Sequence, residues 1–449
     1  MPKTTDRRWI ALMVLCAGML MIILDITIVN VALPAIQGEL GFSQPGLAWV
    51  VNAYLIPFGS LLLLFGRIGD LVSRRGVFVS GLLIFTLASA LCGLAESREM
   101  LIAARFLQGV GGAATSAVIL GMIVTMFPQA GEQARAIGVY SFVASAGGAV
   151  GLLLGGVLTS AVNWHWIFFV NVPVGVCTIA AARRLIVADR GPGLRQGADV
   201  LGAVLITGAL MVTVYTVVTP GGSLPLALLA LGLGVAFVVR EATAPAPLVP
   251  LRIFRSLPLA QANLGQLLSA AGMFGMFFVG VLYCQHVLGY DAMQIGLAFL
   301  PVTVVMGGLS LRYTEKLIGR FGARRLVLTG LGLVVVGLVY FARVPSDGSY
   351  LIDVLPSMVL LGVGGGLAFP SLAALAMSSA TPEDAGLASG VFSTTAEVGS
   401  ALGLAVLASL TAGGFRLPFL VAAVLVAAGL AVFLRAPHLE NSEPELIAA

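Results

Sequence analysis

Three ionisable side chains, Asp25, Arg105 and Glu397, lie inside stretches that are otherwise long and apolar enough to cross a membrane. A charge at bilayer depth costs about 2.5–3.5 kcal/mol on insertion scales, and such residues mark ion, proton or substrate pathways. A carboxylate takes up and releases protons, whereas an arginine keeps its charge and offers five N–H donors. These residue types predict reversible protonation and cation pairing within the membrane.

The depths of Asp25 and Arg105 agree. The first apolar segment begins near Trp9, which places Asp25 about 24 Å along it at 1.5 Å per residue. The fourth segment runs the other way from about Met100, which places Arg105 about 22 Å from the same face. We expect Arg105 to hold Asp25 deprotonated until proton entry or substrate binding competes. The alternative is a static structural pair.

Glu397 lies in the thirteenth apolar segment. Counted from Asp384, it is about 20 Å deep and therefore near the midplane. An acid in this position predicts a site that pairs with a cationic substrate, carries a proton or does both. The alternative is a protonated, hydrogen-bonded glutamate of the core.

The elements that must position these side chains are membrane-spanning helices. Of the 449 residues 59% are hydrophobic and 10% are charged, and the mean hydropathy is +1.04. These values predict an all-α polytopic membrane protein. Because a bilayer core requires about 20 apolar residues per helix, the chain offers fourteen spans. Their approximate ranges are 9–34, 46–66, 76–95, 100–126, 135–160, 166–186, 199–219, 223–240, 260–286, 292–312, 325–342, 351–378, 385–411 and 416–435.

Basic residues fix the predicted orientation. Of the 24 lysines and arginines, twenty lie at one face of the bundle, and Arg105 lies within a span. Only Arg98, Arg343 and Arg416 fall at the opposite face. By the positive-inside rule both termini are cytoplasmic. The sequence has no Walker loop, HExxH motif or nucleophile–base pair, which argues against an enzyme, so any pumping would have to draw on an ion gradient.

An internal repeat divides the chain. Gly66-Arg67-Ile68-Gly69 follows span two, and Gly319-Arg320-Phe321-Gly322 follows span ten, eight spans later. Two six-helix halves with a central site and an inserted helix pair fit this spacing, although similar basic loops also arise by chance. The predicted parts are a first half at 1–187, an inserted pair with linkers at 188–257, a second half at 258–436 and a disordered tail at 437–449.

The first of these loops contains a cluster of glycines and charges. We expect the glycines to allow a tight turn, and Asp70 to cap the third helix or pair with an arginine across the half. Positive-inside charge alone would explain the arginines but not the aspartate. The cluster consists of Gly66, Arg67, Gly69, Asp70, Arg74 and Arg75.

The fifth span carries glycines at intervals of four, Gly147, Gly151 and Gly155, which places them on one helix face. Small residues in this pattern let two helix backbones approach closely. Close packing is the simpler interpretation, and a seam on which two halves rock is the functional one.

Four motifs carry a resemblance to a known family. They are LDITIVNVALP at 24–34, GRIGDLVSRRG at 66–76, LIAARFLQGVGGAA at 101–114 and NWHWIFFVNVPVG at 163–175. Together they resemble the major facilitator superfamily, specifically its fourteen-helix drug:proton antiporter family. The antiporter motif of helix five is similar here but has Leu152 where that family has proline, with Gly155 and Gly156 following.

The resemblance implies proton-coupled efflux of small lipophilic, often cationic compounds by alternating access. It implies a coupling role for Arg105, a conformational latch in the first loop, and no cofactor beyond the proton motive force. Expected partners are a small-molecule substrate, protons and the lipid bilayer, with no nucleic acid, in a monomer of the bacterial inner membrane. Two alternatives are a dedicated exporter of one metabolite or antibiotic, and a non-transporting receptor or scaffold.

Overall fold

A computed structural model describes residues 4–191, 193, 197–219, 223–343, 345, 348–378 and 385–434. Helices form nearly all of this part of the chain, and the predicted tail at 437–449 lies outside it. The helices are α1 (Thr4–Leu40), α2 (Gln44–Leu71), α3 (Arg74–Gly93), α4 (Arg98–Met126), α5 (Ala130–Ala161), α6 (Trp166–Phe169), α7 (Asn171–Leu185), α8 (Val200–Val218), α9 (Leu224–Thr243), α10 (Leu257–His286), α11 (Ala292–Leu309), α12 (Glu315–Phe321), α13 (Ala323–Phe341), α14 (Leu355–Met377), α15 (Ala385–Leu410) and α16 (Arg416–Leu434).

The predicted fold class is confirmed. Among the described residues, thirteen helical segments are long and apolar enough to span a membrane. The remaining predicted span corresponds to α5, in which the described apolar stretch is Ala146–Ala161. α6 and α7 together make one span, and α12 continues α11 through a short π-helical stretch, Ser310–Thr314.

Short polar side chains start several of these helices. The Ser43 hydroxyl accepts a hydrogen bond from the amide of Gly46, and the Ser97 hydroxyl accepts one from the amide of Met100. Asp291 and Gln294 form a reciprocal capping box at the start of α11. Each cap satisfies backbone donors that a helix leaves unpaired in its first turn.

Helices before and after the inserted pair pack mainly within their own group. α4 packs on α2 and α3, and α1 packs on α5 and α7. In the second group, α10 packs on α15 and α16, and α14 packs on α11 and α13. The groups meet where α2 contacts α15 and where α5 contacts α11. The division into halves stays a prediction.

The inserted pair contacts both groups through α8, which packs on α2 and α15. The hydroxyls of Ser60 and Thr207 lie 2.7 Å apart, and the rings of Trp49 and Tyr215 lie 6.3 Å apart between centroids. α9 packs on α8, and most of its described side chains are exposed at the side of the bundle. The inserted pair therefore lies along the α2–α15 contact, with α9 on the lipid side.

Candidate functional site: a buried ion pair and a second acid

Asp25 on α1 and Arg105 on α4 meet inside the first group of helices. The guanidinium Nη1 of Arg105 lies 2.5 Å from Oδ2 of Asp25, and the side chains are 1% and 0% exposed. The predicted depths of Asp25 and Arg105 therefore agree with the structure. They could be counted along the sequence because an α-helix has a fixed rise per residue.

Further hydrogen bonds hold this pair. Arg105 also donates to the carbonyl of Val50 at 2.9 Å and to Oε1 of Gln108 at 2.7 Å. The Gln108 amide nitrogen donates to Oδ1 of Asp25 at 2.6 Å, and Asn171 donates to the same oxygen at 3.4 Å. Donors from three residues thus converge on a carboxylate that is removed from solvent. Such an arrangement suits an ionised carboxylate, which acts only as an acceptor.

Aromatic rings enclose the guanidinium. The Cζ atom of Arg105 lies 4.5 Å from the ring centroid of Tyr54 and 5.7 Å from that of Phe168. A cation over an aromatic face is attracted to the ring quadrupole, and the attraction strengthens when water is excluded. Arg105 therefore keeps its charge, and its carboxylate partner is the group able to change protonation.

Glu397 lies on α15, across the α2–α15 contact from the pair. A Cβ atom placed on Gly59 of α2 would lie 2.5 Å from Cβ of Glu397, so only glycine allows this approach. Glu397 is half-buried, and among the described residues its carboxylate has no hydrogen-bond partner. α2 thus contacts both sites, with Tyr54 against Arg105 and Gly59 against Glu397.

The arrangement can perform proton exchange or cation binding but holds no groups set for covalent chemistry. Within the described part of the chain, no group of three or more His, Cys, Asp or Glu side chains is arranged to hold a metal ion. One acid is enclosed and paired, and the other is partly accessible and unpaired. Two acids in different environments can therefore serve different roles.

The glycines of the first loop do not form the predicted turn. Gly66 and Gly69 lie within α2, which continues to Leu71. Gly69 is retained for packing, because a Cβ there would lie 2.5 Å from Cγ1 of Val118 on α4. In the repeated motif a glycine does form the turn, since Gly322 has φ +82° between α12 and α13.

The charged residues of the first loop differ in their contacts. Asp70 accepts from Nε of Arg74 at 2.8 Å instead of capping α3, and Nη1 of Arg74 reaches the carbonyl of Gly121 at 3.2 Å. The cap is Ser73, whose hydroxyl accepts from the amide of Gly76. Arg67 is exposed. Asp70 thus pairs with an arginine four residues further on. The predicted cap and the predicted pairing across the half are not seen in the described structure.

An acidic residue of the linker after α7 also binds to this loop. The carboxylate of Asp189 accepts from the Ser73 hydroxyl at 2.7 Å and from the amides of Arg74 and Arg75 at 2.8 and 3.1 Å. The backbone amide of Gly191 also donates to the carbonyl of Val72 at 2.8 Å. The linker after α7 is thus docked on the loop between α2 and α3.

The glycine stripe of α5 faces α1, within the first group. A Cβ on Gly147 would lie 3.0 Å from Leu20, and one on Gly155 would lie 2.9 Å from the carbonyl of Ile28. Gly151 lies against Thr27 in the same way. These contacts correspond to the packing interpretation of the stripe.

The contact between the groups uses Gly156. A Cβ there would lie 2.9 Å from Cα of Met293 on α11, and a Cβ on Gly296 would lie 2.6 Å from the carbonyl of Leu152. Both contacts lie toward the face opposite the arginine-rich one. Leu152, which replaces the proline of the antiporter motif, is 3% exposed at this seam.

Comparison with known proteins identifies the family. The family model described as Major Facilitator Superfamily matches residues 15–404 and 313–448. The chain belongs to the Major Facilitator Superfamily. The predicted family is thereby confirmed.

Two relatives within the superfamily are an export protein and a resistance protein by name. The chain is 39% identical to the cephamycin export protein CmcT of Amycolatopsis lactamdurans over 90% of its own length and 85% of the relative's. It is 36% identical to the puromycin resistance protein pur8 of Streptomyces alboniger, over 91% and 82% of the two chains.

A solved structure supports the fold. A point mutant of the nucleoside transporter NupG superposes with a TM-score of 0.69, at 13% identity, over 95% of this chain and 99% of that one. This likeness concerns the fold alone. Membership of the superfamily makes this chain a multi-pass membrane transporter and not an enzyme, with a small molecule as its substrate.

Two residues that contact the Asp25–Arg105 pair, Gln108 and Asn171, were not predicted from the sequence. Gln108 follows Arg105 by three residues, so helical spacing could have placed it on the same face. Asn171 offered no such signal, because it reaches Asp25 from 146 residues away. Asp189 was likewise treated as part of a connector.

Proposed function

We propose that this protein exports small lipophilic, often cationic compounds in exchange for protons, by alternating access between its two groups of helices. The observation that carries the proposal is the Asp25–Arg105 pair, enclosed at membrane depth in a chain related to named export proteins. A charged pair is costly there, and proton coupling is a reason to retain it.

Exchange would occur at Asp25. In the described arrangement the carboxylate accepts from Arg105, Gln108 and Asn171. Proton uptake neutralises the carboxylate, weakens its attraction for Arg105 and frees that cation to reorient. Glu397 would supply the negative charge for a cationic substrate, since its carboxylate is half-buried at the contact between the groups. Proton and substrate then favour different arrangements of the same helices.

Release would require the α5–α11 seam to open. Gly156 and Gly296 allow close backbone contact there, toward the face opposite the arginine-rich one. We place the arginine-rich face and both termini in the cytoplasm of a bacterial inner-membrane protein, following the basic residues. The proton gradient is the energy source, no other cofactor is needed, and the functional unit is a monomer in lipid.

A second candidate is a dedicated exporter of one antibiotic. It is favoured by the names of CmcT and pur8, each of which refers to a single compound. The site would be the same, and the substrate range would differ.

Inverted membrane vesicles distinguish these functions. After the vesicles are energised, lipophilic cations, neutral drugs, cephamycin and puromycin are added separately while lumenal pH is recorded. Release of lumenal protons by several cations supports multidrug:proton antiport, and release by one antibiotic alone supports the dedicated exporter. If no compound changes lumenal pH although the protein is present at wild-type amounts, the antiport proposal fails.

A further inference from the structure

A cleft of about 430 Å³ lies at the arginine-rich face, between the start of α3 and the end of α7. It is an open depression of the surface and not an enclosed cavity. The cleft is separate from the ion pair and from Glu397. The residues that give it chemical character are Arg75, Val79, Ser80, Leu83, Arg183 and Ala188.

Two arginines give the cleft its charge. Nη2 of Arg75 donates to the backbone carbonyl of Arg183 at 2.5 Å, which holds the Arg75 guanidinium at the wall of the cleft. Within the described residues the other donors of Arg75, and the whole guanidinium of Arg183, have no acceptor. Because each guanidinium offers five N–H donors, most of this capacity is available to a bound anion.

The neighbouring acids are already engaged. The carboxylate of Asp189 accepts from Ser73 and from two amides at the start of α3, and that of Asp70 pairs with Arg74. Neither carboxylate pairs with Arg75 or Arg183 in the described structure. With Asp70 paired to Arg74, the two guanidinium groups of the cleft outnumber the one nearby carboxylate, that of Asp189, and leave net positive charge.

One side of the cleft continues into the lipid-facing surface. Leu83 lines the cleft and is 43% exposed. Leu87 and Leu91 are 58% and 42% exposed further along α3, and Leu94, directly after its end, is 58% exposed. Their spacing of four, four and three residues places them on one helix face. A ligand that fills both parts has an anionic head and an apolar tail that runs along α3.

We propose that this cleft binds the headgroup of an anionic phospholipid from the leaflet at the arginine-rich face. The phosphate would lie between Arg75 and Arg183 and accept from their guanidinium N–H groups, and an acyl chain would follow the leucines of α3. A guanidinium group can form bidentate hydrogen bonds with two phosphate oxygens. Basic pockets between membrane helices are typical sites for anionic headgroups. A soluble phosphate ester would have the same head chemistry but would make no use of the leucine stripe.

Native mass spectrometry of the full-length protein in detergent tests the proposal. Phosphatidylglycerol and phosphatidylcholine with the same acyl chains serve as probes. We expect the first to bind more tightly to the wild type. Since each basic residue near anionic lipid contributes about 1 kcal/mol, Arg183→Ala should weaken phosphatidylglycerol binding about fivefold, and Arg75→Ala with Arg183→Ala about 25-fold. Phosphatidylcholine binding should change in neither variant.

Controls separate the cleft from general basic charge and from misfolding. Arg312→Ala with Lys316→Ala removes two exposed cations of the same face, far along the chain from the cleft, and should retain wild-type affinity. Arg183→Ala removes no side-chain hydrogen bond or ion pair of the described structure, so its melting temperature should match the wild type.

Three results would overturn the proposal. One is equal affinity of the wild type for the two lipids. Another is an equal loss of phosphatidylglycerol binding in the control pair. The third is displacement of phosphatidylglycerol by equimolar glycerol phosphate, which would make the cleft a site for soluble phosphate esters.

Discussion

At the scale of single residues, the central feature is an acid that is enclosed but not isolated. Asp25 is buried, yet Arg105, Gln108 and Asn171 all donate to its carboxylate. Removing one partner of a buried ion pair costs about 3–5 kcal/mol, because the remaining charge is left without compensation. A charge-retaining substitution is therefore the more informative way to test the pair.

Arg105→Lys should insert and fold but lose most proton-coupled transport. A lysine keeps the charge, but it lacks the planar fork that reaches Asp25, Gln108 and the Val50 carbonyl at once. We expect substrate-driven proton release from inverted vesicles to fall at least about tenfold, which corresponds to about 1.4 kcal/mol of lost transition-state stabilisation. Wild-type release by the lysine variant would instead favour a static structural pair.

Glu397→Gln should reduce transport of cationic substrates more than that of neutral ones. The carboxylate is half-buried, and no partner in the described structure neutralises it. Its removal takes away the charge that would pair with a cation but changes the shape of the site little. Initial rates for a cationic and a neutral compound, measured in the same vesicles, give the comparison. An equal loss for both compounds would assign Glu397 to proton transfer and not to substrate charge.

At the scale of elements, the α5–α11 seam is the contact whose opening the proposal requires. Gly156 lies against Met293, and Gly296 lies against the carbonyl of Leu152. The stripe of Gly147, Gly151 and Gly155 instead joins α5 to α1. Two neighbouring faces of α5 thus make different contacts, one within a group of helices and one between groups.

Gly156→Ala should weaken closure of this seam. The new Cβ would lie 2.9 Å from Cα of Met293, a backbone atom that cannot move without shifting α11. We expect the spin-label distance between the ends of α5 and α11 to increase and transport to fall about tenfold. Gly148→Ala is the matched control, because its Cβ would meet only Thr27, at 4.0 Å. An unchanged distance in Gly156→Ala would exclude this contact as the moving seam.

The linker after α7 offers a test that depends on pH. Partial burial favours a higher pKa for Asp189, but the Ser73 hydroxyl and the amides of Arg74 and Arg75 outweigh it and lower the pKa below its usual range. The linker contact should therefore be complete above the ordinary aspartate pKa of about 3.9 and be lost as pH falls through the lower folded value.

Hydrogen exchange of the Arg74 and Arg75 amides, corrected for intrinsic rates, measures this contact. Asp189→Asn should remove most of their protection at neutral pH, since the neutral amide is a weaker acceptor than the carboxylate. Asp291→Asn, at the cap of α11 on the opposite face, should leave these amides unaffected. Full protection in Asp189→Asn would show that Ser73 alone maintains this helix start.

Some of these elements could be predicted from sequence, and others could not. Hydropathy predicts the spans because a helix of fixed rise must be apolar over the width of the bilayer. The same rise brings Asp25 and Arg105 to one depth. It does not distinguish a glycine needed for a turn from one needed for packing, which is why Gly69 proved to lie within α2.

Contacts distant along the chain were beyond sequence reasoning. Asp189 reaches Ser73 across 116 residues, and Gly59 lies opposite Glu397 through an approach of α2 to α15 that no local pattern encodes. The seam formed by Gly156 depends in the same way on which face of α5 meets α11. Helix packing decides these pairings, whereas hydrophobic periodicity specifies only that a face is buried.

At the scale of the whole molecule, the proposed coupling links three places. The ion pair lies in the first group of helices, Glu397 lies where α2 meets α15, and the glycine seam lies where α5 meets α11. α1 connects two of them, since it carries Asp25 and packs against α5. A change in the charge of Asp25 can thus bias the position of α5 through direct contacts.

The inserted pair adds a constraint at this scale. α8 contacts both α2 and α15, and Nε of Arg240 on α9 lies 3.0 Å from Oδ1 of Asp199 at the start of α8. This ion pair keeps the two inserted helices together. Any relative motion of α2 and α15 must therefore either carry α8 along or slide past it.

The central claim is that protonation of Asp25 drives uphill transport, and proteoliposomes with an imposed pH gradient test it most directly. We expect the wild type to accumulate a lipophilic cation against its gradient. Asp25→Asn should not accumulate it, yet should still exchange labelled for unlabelled compound when no gradient is applied, which controls for folding and binding. Uphill accumulation by Asp25→Asn at the wild-type rate would contradict the account and remove Asp25 from the coupling mechanism.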